Sequence, residues 1–224
     1  MYLNNHTYYS LRYGTFSEKE LIALAQHNGV TTLVLTDINN TSACLNLTRL
    51  LEKTSIKAVI GIDFRNNHQQ LYVGIARNND GFAELNKFLS EHLHEKKDFP
   101  DRAPSFQNAV VIYPLERVME MELLRFRESE YIGISTASLR KLPFTKYIKM
   151  TDHLIILQTV TFRNKRDFNA HRLLRAIDLN TLLSKLPIEQ QGQPDQIMKP
   201  VAALKKDFIE YDFIISTTNR LLDS

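Results

Sequence analysis

The chain has a single cysteine, Cys44, in 224 residues. That excludes an internal disulfide and a thiolate metal cluster, and no Cys-x-x-Cys pair is present. Packing within a helix is the role expected of Cys44. A long apolar run is also lacking: no stretch approaches the roughly 20 residues that cross a bilayer, and the N terminus shows no charged-then-apolar layout of a secretory leader. No membrane partner is expected, and a cytoplasmic location is. Charge of one sign is scarce as well. Lysine and arginine number 28 against 25 aspartates and glutamates, a formal net charge of +3, which gives little drive for non-specific nucleic-acid binding. The basic clusters Lys96-Lys97, Lys141, Lys146, Lys149 and Arg163-Asn164-Lys165-Arg166 are not regularly interleaved with aromatic residues, as a base-stacking surface would be. They read as solvated faces, so DNA contact is expected to be weak or indirect. Internal repeats and low-complexity tracts are absent.

What is present suits one domain of mixed type over residues 1–224. A hydrophobic content of 43% over 224 residues is enough for a substantial core. Strand-like and helix-like stretches alternate, the pattern of a parallel sheet or barrel. Residues 2–5 and 31–36 read as strands. Ser17 with Glu20 three residues on is a capping box, and Leu21, Ile22, Leu24 and Ala25 form the apolar face of a helix ending near Gly29. Residues 41–53 read as a second helix. Two strands, 56–64 and 70–76, are joined by the polar turn Arg65-Asn66-Asn67-His68, and 81–94 is helical. Residues 95–108 are rich in charge and proline and are expected to form a long surface loop, the best candidate for disorder. Strands are expected at 109–113 and 131–134 around a Met- and Leu-rich helix near 115–124, then one strand over 153–160. From residue 166 onward the chain reads as mainly helical.

Several short motifs occur in order. The first is Leu3-Asn4-Asn5-His6-Thr7-Tyr8-Tyr9-Ser10, continued by Leu11-Arg12-Tyr13-Gly14. Then come Leu33-Val34-Leu35-Thr36-Asp37-Ile38-Asn39-Asn40, Gly61-Ile62-Asp63-Phe64, Leu71-Tyr72-Val73-Gly74-Ile75-Ala76-Arg77-Asn78, and Gln158-Thr159-Val160-Thr161-Phe162. The last, Asp167-Phe168-Asn169-Ala170-His171 continuing to Ala176-Ile177, reads as a helix. This series resembles the PHP (polymerase and histidinol phosphatase) domains, whose opening reads Leu-His-x-His-Thr-x-Tyr-Ser. The Tyr-Ser-Leu element and the last helix are similar to the branch found in bacterial DNA polymerase III α subunits.

The resemblance implies an α/β fold, a distorted (β/α)7 barrel of PHP type related to the TIM barrel. It also implies a site in which zinc, manganese or magnesium ions, held by histidines and carboxylates, activate water for phosphoester hydrolysis. Measured against that pattern, His6 and Asp63 remain, Asp63 one methylene shorter than the family's glutamate. Asp37 is a motif residue beside a ligand position. Asn4, Tyr13, Ile38, Leu71, Thr159 and Thr161 stand where the family places other ligands. Ile38 and Leu71 cannot coordinate a cation, and a multiply charged ion needs a nearly complete shell of donors. No tightly bound metal and no nuclease activity are therefore expected, and no cofactor in this region. His6 is expected to pair with Asp63 at the barrel mouth, Asp37 to cap the helix after the second strand, and Ile38, Leu71 and Tyr13 to close together over the old site.

By the same resemblance the chain is expected to be the N-terminal part of a replicative DNA-directed DNA polymerase, whose magnesium-binding palm lies beyond it. Its role there would be that of an inactive scaffold, with the rest of the α chain as partner and the proofreading exonuclease subunit as a docking partner. The alternative is a metal-dependent phosphoesterase or 3′ to 5′ exonuclease that rebuilds a smaller site from His6, Asp63 and residues such as His153 or His171.

Overall fold

The computed structural model describes residues 1–223. Its elements follow in chain order as β1 (Asn4–Asn5), α1 (Glu18–His27), β2 (Thr32–Leu35), α2 (Cys44–Leu51), β3 (Lys57–Asn66), β4 (Gln69–Ala76), α3 (Asn79–Glu95) and β5 (Ala109–Pro114). Then come α4 (Leu115–Glu120), β6 (Glu130–Ile134), β7 (Leu154–Ile156), β8 (Thr159–Val160), α5 (Lys165–Asp178), α6 (Val201–Asp207) and α7 (Asp212–Asp223). The strands form a curled six-stranded sheet of order β2-β3-β4-β5-β6-β7 and a separate β1-β8 pair. Asn5 at the end of β1 reaches the β2 edge, with Thr36 N donating to Asn5 O at 3.0 Å and Asn5 N donating to Thr36 Oγ1 at 2.9 Å. The chain is thus an α/β fold curled into a distorted half-open barrel.

The distortion has an identifiable source. Strand β4 runs antiparallel to both β3 and β5, whereas the β2-β3, β5-β6, β6-β7 and β1-β8 pairs are parallel. The β3-β4 link is the hairpin type of connection, and it is tighter than the sequence suggests. Arg65 and Asn66 remain in β3, Asn67 takes a left-handed conformation at φ 55°, and the turn is confined to Asn67-His68. Asparagine tolerates that conformation better than most residues.

Side chains alternate across each strand, which sorts the apolar residues into two layers. Val34, Val73, Ile75, Val110, Ile112 and Ile155 cluster with Leu3 and Leu157. A second, larger cluster joins Leu33, Leu35, Phe64, Tyr72, Val111 and Tyr113 to helix residues such as Leu21, Leu47, Leu85 and Leu115. Each such fully buried side chain contributes about 1.5–3 kcal/mol of transfer free energy, and together they fix the strand ends that carry the polar cluster described below.

Three elements depart from the sequence reading. The strand expected over 153–160 is two strands, because β7 follows β6 while β8 crosses to β1. The break leaves the Ile156 N–H without a ladder partner, and Thr218 Oγ1 of α7 accepts it at 2.9 Å; a buried N–H left unpaired would be costly. Helix α4 stops at Glu120 rather than near 124, since Glu122 is left-handed at φ 49°. In the segment between α3 and β5, Phe99, Ala103 and Phe106 are buried, and Asn66 and Phe99 exchange hydrogen bonds, Asn66 Nδ2 to Phe99 O and Phe99 N to Asn66 Oδ1, both 2.9 Å. The capping box of α1 is present as expected, with Ser17 and Glu20 bonded reciprocally.

Candidate functional site at the barrel mouth

The C-terminal ends of β1, β2, β3 and β8 converge on a buried polar cluster, at the end of the strands where barrel enzymes place their chemistry. The loop after β1 turns sharply: Ser10 N donates to Thr7 O, and both Tyr13 N and Gly14 N donate to Ser10 O. Gly14 is required there, because a Cβ at that position would lie 1.7 Å from Thr7 O. Asp37, at the end of β2, binds this loop. It accepts from Thr7 N at 2.6 Å, Thr7 Oγ1 at 2.7 Å and Ser10 Oγ at 2.7 Å. The expectation that Asp37 caps the following helix is corrected by these bonds, and the N-cap position of α2, Ala43, has no side-chain capping bond. Burial raises the Asp37 carboxyl above its ordinary range, and the three donors only partly offset that.

Asp63 is fully buried at the centre of the cluster. Its Oδ2 receives Asn4 Nδ2 at 3.3 Å, His6 Nε2 at 3.0 Å, and Arg65 Nε and Nη2 at 3.1 and 2.7 Å. Asn4 is oriented by its own bonds, since its Oδ1 accepts from Thr36 Oγ1 at 2.8 Å while Nδ2 also donates to Thr159 Oγ1 at 3.0 Å. His6 donates through Nε2, because a carboxylate can only accept, and its Nδ1 faces Thr161 Oγ1 at 3.0 Å. Thr161 Oγ1 in turn donates to Gln196 Oε1 at 3.0 Å. Burial alone would raise the Asp63 carboxyl; the Arg65 charge and the His6 bond more than offset it and hold it down at about 2. The Arg65 guanidinium is correspondingly kept charged, burial opposing and Asp63 favouring the ion.

This arrangement does not fit a metal ion. A cation site gathers acceptors around an ion, whereas here donors gather around one carboxylate oxygen. The Asn4 amide presents its NH2 rather than its oxygen to Asp63, and the Arg65 guanidinium already supplies the positive charge. Among the described residues, no three His, Cys, Asp or Glu side chains stand where they could share a metal ion.

The remaining positions fall into place around Arg65. Its guanidinium carbon lies 4.8 Å from the centroid of the Tyr13 ring, and that of Arg175 lies 5.8 Å from the same ring, a favourable placement of cations against an aromatic ring. Tyr13 also meets His6 and His171 edge-on, with centroids 5.8 and 4.5 Å apart. The expected closure of Ile38, Leu71 and Tyr13 over the site is corrected. Leu71 is buried in the main core, Ile38 is only half-buried, and both Ile38 and Tyr13 line a cleft of about 490 Å³ with Arg65 and Arg175. The Arg65 guanidinium lies beside the Tyr13 ring, and the cleft stays open instead of being closed by Ile38 and Leu71.

His171 is buried and uses both ring nitrogens. Gly192 N donates to Nε2 at 2.8 Å, so Nδ1 carries the proton and donates to Tyr13 O at 2.7 Å. Burial, with Arg175, Arg65 and His6 nearby, pushes its pKa down to about 4. His153 bonds to Glu130 O through Nδ1 and packs against Phe126 and Tyr131, so neither histidine joins His6 and Asp63 as a ligand. Arg65, Arg175, Thr36 and Gln196 are not marked as site residues by the sequence alone. Arg65 could have been found, because a residue two positions after Asp63 on a strand shares its face. The others come from elements whose approach only the fold reveals.

The PHP domain family matches residues 3–131, more than half of the chain, and the chain belongs to that family. It is 32% identical over 104 residues to a protein from Ureaplasma parvum serovar 3 named DNA polymerase III subunit alpha. That match takes in 44% of this chain and 11% of the relative, so the chain spans about a tenth of the relative's length.

Proposed function

We propose that this PHP domain is a non-catalytic unit of a bacterial, cytoplasmic DNA polymerase III α chain, serving DNA replication as a scaffold. The observation that carries the reading is the state of Asp63, whose Oδ2 is saturated by the donors of Asn4, His6 and Arg65. A phosphoesterase of this family would need that carboxylate for a metal ion, and the ion would need several more donors of the same kind. Nucleotidyl transfer, with its own magnesium ions, would belong to the remainder of the polymerase chain. The partners of the domain would be that remainder and the separate proofreading exonuclease subunit, with DNA contacted weakly or indirectly.

The experiment is a phosphodiesterase assay on the purified chain, with a chromogenic phosphodiester and with single-stranded DNA, in added manganese and then zinc. No turnover above buffer is expected. Turnover lost on Asp63→Ala would establish the opposite reading, a metal-dependent phosphoesterase or 3′ to 5′ exonuclease with a reduced site. The docking half is tested separately by titrating the cognate exonuclease subunit against the chain; absence of binding would remove it.

A further inference from the structure

We infer that Arg65 is an internal cation standing in for the metal charge beside Asp63, and that its guanidinium keeps divalent ions out of the barrel mouth. Four observations carry this. The guanidinium is 7% exposed and bonded to Asp63 Oδ2 by two nitrogens. The acid it neutralises is fully buried, and an uncompensated charge there would be costly. The other groups around that oxygen, Asn4 Nδ2 and His6 Nε2, are also turned as donors. The Tyr13 ring flanks the guanidinium at 4.8 Å.

The backbone supports this placement. Arg65 lies two positions after Asp63 on β3, so strand alternation brings it to the same face, and the register irregularity falls on β4, where Phe64 faces Tyr72 and Arg65 faces Gln70 with Leu71 between them unpaired. Asn39 then holds Arg65 by two bonds, Arg65 N to Asn39 Oδ1 at 2.9 Å and Asn39 Nδ2 to Arg65 O at 2.8 Å. Asn39 is itself left-handed at φ 47°. Removing the guanidinium while keeping this frame takes two of the four bonds from Asp63 Oδ2 and leaves the buried Asp63 Oδ1 still without a hydrogen-bond partner. An uncompensated carboxylate beside an imidazole 3.0 Å away is the charge that draws a manganese ion in, water filling its remaining coordination positions.

The inference rests on the reading of the site as one that has lost its metal, and its failure is distinguishable: metal-dependent turnover by the wild-type chain sinks both, whereas an Arg65→Ala that melts like wild type sinks the inference alone. The test is thermal melting and calorimetric titration of the full chain with manganese, for wild type, Arg65→Ala, Arg65→Gln and the double variant Asp63→Asn/Arg65→Gln. Wild type is expected to bind no manganese and to melt unchanged in its presence. Arg65→Ala is expected to melt roughly 10 °C lower, to recover in methylguanidinium, and to gain manganese binding with a rise in melting temperature. Should Arg65→Ala fail to fold, the double variant decides: it melts above Arg65→Gln if Arg65 is the counter-ion of Asp63. Manganese binding by wild type, an Arg65→Ala melting like wild type, or a double variant no more stable than Arg65→Gln would overturn the inference. Recovery in methylguanidinium without manganese binding would overturn its exclusion half.

Discussion

Arg65 folds back along its own strand so that two of its nitrogens meet one oxygen of Asp63, at 3.1 and 2.7 Å. The two residues are separated only by Phe64, whose side chain is buried with the main core instead. A buried pair of this kind adds little net stability when intact, because desolvating both ions offsets most of their attraction. Breaking it is another matter.

Asp63→Asn removes the acid and leaves the Arg65 guanidinium buried without its counter-charge. We expect a loss of about 3 kcal/mol in unfolding free energy, measured by urea denaturation at neutral pH, with the fold retained by circular dichroism. A loss indistinguishable from zero would mean that the pair is solvated in solution.

The same acid sets a pH window. Its folded pKa, about 2, lies below the ordinary 3.8, so the unfolded chain takes up the proton first as pH falls. The stabilisation is complete above pH 3.8, and is lost progressively as pH drops through about 2. About 2 kcal/mol is at stake. Denaturation curves across that range should steepen for wild type and flatten for Asp63→Asn.

His171 sets a second, separate window. Its folded pKa of about 4 lies below the ordinary 6.5, so protonation between those values favours the unfolded chain. Its contribution is fully present above pH 6.5 and falls away towards pH 4, by about 3 kcal/mol. Physically, a proton on Nε2 would oppose the Gly192 N–H that now donates to it. His171→Gln should lower stability at neutral pH and remove the slope across this window, as read by melting temperature against pH.

Asp37→Ala tests the difference between a loop pin and a ligand. The variant strips three donors of their acceptor, two on Thr7 and one on Ser10. Leaving buried donors unpaired costs about 1–3 kcal/mol each, so a fall of roughly 3 kcal/mol after relaxation is expected. Manganese titration of the variant should match wild type; a metal signal that disappears with Asp37 would make it a ligand.

Much of the fold was legible because short motifs fix strand ends locally. Ser17 and Glu20 announce α1, and the hydrophobic strands from Leu33 and Val110 are what periodicity and composition report. The pairing of replaced positions was not legible. Asn4 meets Thr159 and His6 meets Thr161 because β1 lies parallel to β8 with Asn4 opposite Thr159, a register that no local pattern states. Arg65 was hidden differently. Its polar neighbours Asn66, Asn67 and His68 read as a turn, whereas cross-strand pairing keeps Arg65 and Asn66 in β3 opposite Gln70 and Gln69. A carboxylate just before a helix commonly caps it, which is what the local sequence around Asp37 suggests; the tight loop closed at Gly14 offers Asp37 better donors.

The central claim is that this barrel mouth is held by its own charges and takes no metal. The most direct measurement is elemental mass spectrometry of the chain purified without chelator, then repeated after dialysis against manganese and against zinc. Less than stoichiometric metal is expected in every sample. One or more ions retained per chain would contradict it, and would mean that Asp63 and His6 open to a cation in solution.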